Sequence, residues 1–183
     1  MQFEEVIRNR RTVREYEERP VSDLVIEEIL SLAQQAPSSM NGQPWHFIVV
    51  RNRVTLDRLV ELKNHYCPPE KQEFGADFIR KAPAVIFVCV NRDKSYDRGI
   101  ETAVLATAYI LLGACSRGLS GVYMSAYRAD KPEIAQSFRE LLDIPADFDP
   151  VTIIPLGYPA VEPPAKVVPS ISGVISYEAF SNK

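Results

Sequence analysis

Residues 83–90 read Pro-Ala-Val-Ile-Phe-Val-Cys-Val, a stretch with no charged side chain. A strand of that composition cannot leave either face in water, so it predicts a central strand covered on both sides. A second apolar run covers residues 102–115. It is too short to span a bilayer. It predicts a helix over residues 100–117 that is apolar nearly all round, a central helix of a domain or an interface, ended by Gly118. A strand and a helix that both need cover call for layers, and the pattern predicts α+β architecture with helices packed around a sheet of four to five strands.

The remaining segments fit that frame. A helix is predicted near residues 2–10, with Phe3, Val6 and Ile7 on one face. Another is predicted over residues 22–35, capped by Ser22, striped by Val25, Ile29, Leu32 and Ala36, and stopped by Pro37. Residues 46–50 (HFIVV) read as a strand, 55–64 as a helix, and 70–81 as a further helix after the Pro68-Pro69 loop. Residues 121–127 and 151–156 read as strands, with a helix between them opened by Asp130 and Pro132 and reaching Leu142. From about residue 159 prolines recur at 159, 163, 164 and 169. This predicts an extended arm lying on a neighbour, or else a loose tail. Residues 1–183 read as a single domain, with no internal repeat or linker.

Composition removes several function classes. A net charge of −3 argues against a protein that coats nucleic acid or an anionic membrane. The first residues, Met1-Gln2-Phe3-Glu4-Glu5, carry acid where a secretory leader needs base. Cys67, Cys89 and Cys115 are widely spaced, with no CxxC, and predict a reducing, cytoplasmic setting. GxGxxG, Walker and GxSxG patterns are all missing. The two histidines, His46 and His65, lack the spacing of metal ligands, so no metal site is expected.

Two segments stand out. Residues 8–14 read Arg-Asn-Arg-Arg-Thr-Val-Arg, which places four of the chain's 14 arginines within seven residues. Guanidinium groups suit phosphate because a planar fork donates two parallel hydrogen bonds. The same residues also suit a helix C-terminus, and ion pairs with Glu15, Glu17 and Glu18. The second segment is Ala36-Pro-Ser-Ser-Met-Asn-Gly-Gln-Pro-Trp45. Its hydroxyl, amide and backbone N–H groups can reach a polar heterocycle, and its prolines limit the entropy lost on ordering. It can equally be a helix-to-strand loop with Trp45 as a core plug.

The pairing of RNRRTVREY (residues 8–16) with APSSMNGQPWHFIVV (residues 36–50) resembles the nitroreductase family of flavoproteins. RKAPAVIFVCVN, RGLSGVYMSAY and IIPLGYPAVEPPAK agree in order, so the likeness spans essentially the whole chain. It implies a nitroreductase-like fold with a mostly antiparallel central sheet. It also implies bound flavin mononucleotide (FMN), NADH or NADPH as reductant, and a homodimer with FMN at the subunit interface. Arg10, Arg11 and Thr12 match positions that bind the FMN phosphate and ribityl chain. Arg14 matches a basic position beside the N1/O2 edge of the ring, where negative charge gathers on reduction. Pro37, Ser38, Ser39 and Asn41 match a loop that reaches the flavin from the partner. Met124, Ser125 and Ala126 match backbone running along the ring near N5, with a donor N–H expected at Ser125 or Ala126. Gly157 and Lys166 match the phosphate end.

The implied reaction is hydride transfer from NAD(P)H through flavin N5 to a nitroaromatic, quinone or similar small-molecule acceptor in a ping-pong cycle. The cofactor does the chemistry, and no catalytic side chain is required. Tyr66, Phe74, Phe78 and Tyr127 are candidates for the pocket wall. Two departures stand out: Ser125 occupies a position where many relatives have Gly, and no flavin-contacting Asn or Lys is identifiable among Gly75, Ala76, Asp77 and Phe78. Alternatives are a non-catalytic flavin-binding, storage or sensing module, and a relative that dehalogenates iodotyrosine or fragments reduced flavin.

Overall fold

The structure, a computed structural model, describes residues 2–68 and 75–180. Strands β1 (Trp45–Val50), β2 (Ala84–Asn91) and β5 (Phe148–Gly157) form the body of an antiparallel sheet in that spatial order. Two short segments, β3 (Ser120–Gly121) and β4 (Met124–Ser125), share the far edge of β5. The all-apolar run is the central strand: Ala84 through Val90 are buried, with β1 on one side and β5 on the other.

Each face of β2 has its own core. Val85, Phe87 and Cys89 point toward α3 (Arg53–His65) and α6 (Pro132–Leu142), where they meet Leu56, Leu59 and Phe138. Ile86, Val88 and Val90 point the other way, toward α2 (Asp23–Ala33) and α5 (Gly99–Cys115), where they meet Ile29, Ala106 and Ile110. Each fully buried large side chain contributes about 1.5–3 kcal/mol. Strand period two applied to an uninterrupted apolar run therefore yields three layers, as the sequence predicts.

The ends of the helices follow local rules. Ser22 Oγ accepts from Val25 N at 3.4 Å and starts α2. Beyond α5, Gly118 takes φ +74, with Gly118 N–H bonded to Cys115 O and Leu119 N–H to Ala114 O. That paired closure needs a left-handed residue, which glycine supplies without a Cβ clash.

Several sequence expectations need correction. The buried stripe of α2 is Ile26, Ile29 and Ala33, whereas Leu32 is 41% exposed. In α1 (Phe3–Asn9) only Val6 is buried, and Phe3 and Ile7 face solvent. Instead of a helix over residues 70–81, the described part shows a 3-10 turn, Asp77–Lys81, and residues 70–74 fall outside the described residues. A four-residue helix, α4 (Arg92–Ser95), was not foreseen; Asn91 caps it by accepting from Lys94 N at 3.1 Å.

The strand expected over residues 121–127 is broken, and Pro155 is the reason. Val122 N donates to Pro155 O at 3.2 Å. In an antiparallel strand a residue's N–H and C=O face the same neighbour. Pro155 has no N–H to return, so the ladder lapses between β3 and β4.

Past Pro159 the chain is extended and exposed, with one 3-10 turn at Ile171–Gly173. Val167, Val168, Ile171, Tyr177 and Phe180 stand in solvent in the single chain.

Candidate functional site

The arginine-rich segment lies along the β3 edge of the sheet. Thr12 forms a parallel bridge to Gly121 and Tyr16 an antiparallel bridge to Pro159. Glu17 N donates to Tyr158 O at 2.9 Å and Ala160 N to Glu15 O at 3.0 Å. Val13 and Tyr16 are buried, while Thr12 and Arg14 turn outward and Arg10 and Arg11 are half-buried. The Tyr16 hydroxyl is bonded to Val13 O at 2.8 Å and to Pro155 O at 3.2 Å, and burial pushes its pKa upward. A neutral, pinned phenol thus anchors the segment and leaves the cations outside.

Arg11 is held by backbone oxygens. Its Nε donates to Pro164 O at 3.0 Å, and one terminal nitrogen donates to Arg10 O at 3.0 Å and to Arg8 O. A guanidinium carries five N–H donors, so two remain on its other terminal nitrogen. The Pro164 bond also brings the proline-rich arm, two residues before Lys166, against the arginine segment. Among the described residues, no ion pair involves Arg8, Arg10, Arg11 or Arg14, so the pairing with Glu15, Glu17 and Glu18 is not formed. Cations unmatched by carboxylate, with a threonine hydroxyl between them, form a donor set that fits a phosphate monoester. Burial raises the Cys115 thiol, and Arg10 and Arg11 oppose that shift, which puts the cluster beside the C-terminal end of α5. The Arg14 guanidinium lies over the Phe78 ring, 5.7 Å from its centroid.

At the sheet edge, Ala126 and Ser125 differ in what they offer. Ala126 is fully buried and its N–H donates to Val151 O at 2.9 Å, so Ala126 is not the expected open donor. Ser125 pairs with Thr152 at the intervening position, so its N–H and C=O face away from β5. Its hydroxyl folds back, donating to Tyr127 O at 2.6 Å and accepting from Tyr127 N at 3.2 Å. Its carbonyl accepts from Lys63 Nζ at 2.9 Å.

Lys63 was missed in the sequence, although a signal was present. Leu56, Leu59, Val60 and Lys63 fall at i, i+3, i+4 and i+7, so the lysine takes the next place on the buried face of α3. Burial lowers its pKa, and Cys67 opposes that shift. Lys63, Met124 and Ser125 line a cavity of about 540 Å³ together with Tyr66 and Tyr127. Phe78 is instead engaged by Arg14, and Phe74 lies outside the described residues. A larger groove of about 670 Å³ runs between residues 16–20 and 80–83, with four cations (Arg19, Arg53, Arg80, Lys81) against Glu17 and Glu18, but none of the residues matched to flavin contacts lines it.

The serine-rich loop sits elsewhere. Ser38 Oγ accepts from Gln43 N at 3.1 Å, and Asn41 Oδ1 accepts from Gln43 Nε2 at 3.1 Å. Met40, Asn41 and Gln43 all have positive φ, a strained conformation for residues with a Cβ. A Cβ on Gly42 would lie 2.1 Å from the Lys94 carbonyl oxygen, so the loop is pressed onto α4. Pro37 is exposed, and Ser38 and Ser39 are half-buried. This is the N-terminal end of α5, whereas the arginines are at its C-terminal end. The helix between them has 17 residues, about 25 Å. One copy of the chain therefore holds the two motifs apart.

Gly157 is buried in β5, where a Cβ would lie 2.6 Å from Pro83 Cδ and 2.8 Å from Tyr16 Cδ1. The structure thus gives it a packing role beneath Tyr16. Lys166 is exposed. Among the described residues, no His, Cys, Asp and Glu cluster could hold a metal, and no helix is long and apolar enough to cross a membrane.

The sequence model of the Nitroreductase family matches residues 7–158. A Methanothermobacter thermautotrophicus protein, provisionally named NADH dehydrogenase/NAD(P)H nitroreductase, is 36% identical over 161 residues, covering 87% of this chain and 78% of its own. The iodotyrosine deiodinase of Thermotoga neapolitana is 26% identical, covering 96% of this chain and 97% of its own. The solved structure of an FMN-dependent nitroreductase from Clostridium difficile R20291 superposes with a TM-score of 0.83 at 27% identity, covering 96% of this chain and 98% of the other. The paired motifs, the layered antiparallel sheet and a match over most of the sequence agree: the chain belongs to the nitroreductase family.

Proposed function

We propose that residues 1–183 form one FMN-binding unit and that the protein is an FMN-dependent NAD(P)H oxidoreductase working as a homodimer. The carrying observation is the separation of its two motifs along α5. Arginines at one end and a serine-rich loop at the other cannot close on one ligand within a copy, but a second copy laid along α5 can bring them together. Ile100, Val104, Leu105 and Tyr109 form an exposed stripe on that helix and supply an apolar face for such a contact. The exposed apolar arm beyond Pro159 is suited to lie on the partner.

In this reading Arg10, Arg11, Thr12 and Lys166 hold the FMN phosphate and ribityl chain. Arg14, braced on Phe78, sets positive charge beside the N1/O2 edge of the ring. Met124 and Ser125 run along the ring, with the outward N–H of Ser125 directed at N5. Pro37, Ser38, Ser39 and Asn41 approach from the other copy. The chemistry FMN supplies when bound is hydride transfer from NAD(P)H, through N5, to a nitroaromatic, quinone or similar acceptor in a ping-pong cycle. The similarity to provisionally named NAD(P)H nitroreductases and to an FMN-dependent nitroreductase supports this reading.

The test is the visible spectrum of the purified protein. A flavin spectrum that bleaches anaerobically with NADH or NADPH and recovers on adding menadione or a nitroaromatic is the expected result. A colourless protein that takes up no added FMN overturns the proposal. Flavin binding without turnover would mark a storage or sensing module instead. Iodide release from iodotyrosine would place the activity with the deiodinase relatives.

A further inference from the structure

Among the described residues, the cavity beside Met124 and Ser125 has an unbalanced charge. Two cations line it, Lys63 and Arg128, and none of the described residues lining it is a carboxylate. Arg128 is neutralised by Asp130, which accepts from it at 3.1 and 2.7 Å. Lys63 is not: among the described residues it joins no ion pair, and its one hydrogen bond is the 2.9 Å bond to the Ser125 carbonyl. An ammonium has three N–H donors, so two remain. Burial disfavours the Lys63 charge more than the Cys67 thiol favours it, and that cost falls when an anion arrives.

The remaining walls suit a flat apolar body. Tyr66, Tyr127, Phe138, Ile134 and Met124 surround the space. The Tyr66 hydroxyl is turned aside to Ser137 Oγ at 3.0 Å, which leaves its ring to the cavity. About 540 Å³ is within the usual range for a small-molecule site, roughly 300–1,000 Å³.

We infer that this cavity is the acceptor pocket and that it takes aromatic compounds carrying a negative charge, with Lys63 as the residue that selects for that charge. This rests on the reading above that the flavin ring lies along Met124 and Ser125. The Ser125 carbonyl fixes the ammonium at the inner edge of the pocket. A carboxylate or phenolate bound there completes its donors, while the aromatic body lies between the tyrosines. Neutral acceptors of the same shape gain the packing without the ion pair.

Two measurements test this. Benzoate and benzamide, neither of which is reduced, are titrated calorimetrically into the FMN-loaded protein and into protein freed of flavin. Benzoate should bind about tenfold or more tighter than benzamide. The difference should vanish in Lys63→Met and return in Lys63→Arg. In turnover, the ratio of kcat/KM for 4-nitrobenzoate over nitrobenzene should fall about tenfold in Lys63→Met. Equal affinity for benzoate and benzamide, or a preference that survives Lys63→Met, overturns the inference even if the protein is a flavin reductase. If the protein takes up no FMN, the proposed function fails. Benzoate selectivity at Lys63 in the flavin-free protein would then still stand as a binding result.

Discussion

Arg11 Nε donates to the carbonyl oxygen of Pro164 at 3.0 Å, joining residues 153 positions apart in the chain. One guanidinium thus ties the start of the proline-rich arm to the arginine segment and keeps two donors in reserve. Lysine cannot do both, because an ammonium lacks the rigid fork that serves several carbonyls at once.

The first prediction concerns that cluster. Replacing Arg10 and Arg11 together by Ala should weaken FMN binding by on the order of 100-fold, the loss expected of two charge-assisted contacts. The fold should persist, because neither side chain contributes to either core. Fluorescence titration of FMN and circular dichroism read the two effects. Arg11→Lys should not restore binding. Wild-type flavin affinity in the double variant would remove the phosphate assignment.

Leu105→Glu places a charge in the middle of the exposed α5 stripe, where Leu105 is 41% exposed in the single chain. A desolvated, unpaired charge opposes association by several kcal/mol. Light scattering should report a monomer, and flavin should be lost with the dimer. A monomeric variant that keeps its flavin would mean the site is complete within one copy.

Thr107 and Thr152 form a buried hydroxyl pair between α5 and β5 that predicts an asymmetry. Thr107 Oγ1 donates to Ala103 O at 2.8 Å, so its 2.6 Å contact with Thr152 Oγ1 uses the Thr152 proton. Thr107→Val leaves the Thr152 hydroxyl without an acceptor and should cost about 1–3 kcal/mol. Thr152→Val removes only a donor and should cost less. The double variant should be less destabilised than the sum of the two. Urea denaturation of the three variants checks the order.

Asp149 is the acid-sensitive joint of the fold. Hydrogen bonds from Arg92, both at 2.8 Å, hold its carboxyl below the usual carboxylate range, with Arg139 adding to the effect. A depressed carboxylate pKa stabilises the fold above its unfolded value, about 4, and that stability is lost as pH falls through the folded value. The group is 39% exposed, so solvent screening limits the contribution to about 1 kcal/mol. Asp149→Asn should therefore lower Tm at pH 7 and make no difference below the folded pKa. Thermal melts across pH 2–7 give the comparison, and an Asp149→Asn effect that is flat across that range would refute the assignment.

Much of the frame was legible because it follows from local pattern. The charge-free run at 83–90 required a doubly covered strand, Ser22 marked the start of α2, and Gly118 marked the turn after α5. The two motifs were legible as candidate donor sets, although the same residues also suit a helix end and a helix-to-strand loop.

The rest depended on partners distant in sequence. Pro155 broke an edge strand whose own residues, Gly121 to Tyr127, gave no warning. Periodicity places Lys63 on the buried face of α3, but only packing brings it to the carbonyl of Ser125, 62 residues away. Ile26 rather than Leu32 is buried in the core shared with α5, and Leu32 is left at its margin beside Gly113. Periodicity and residue chemistry set which elements exist and which groups are available. Packing between remote segments sets where those groups point, because the free energy of burying a side chain depends on what covers it.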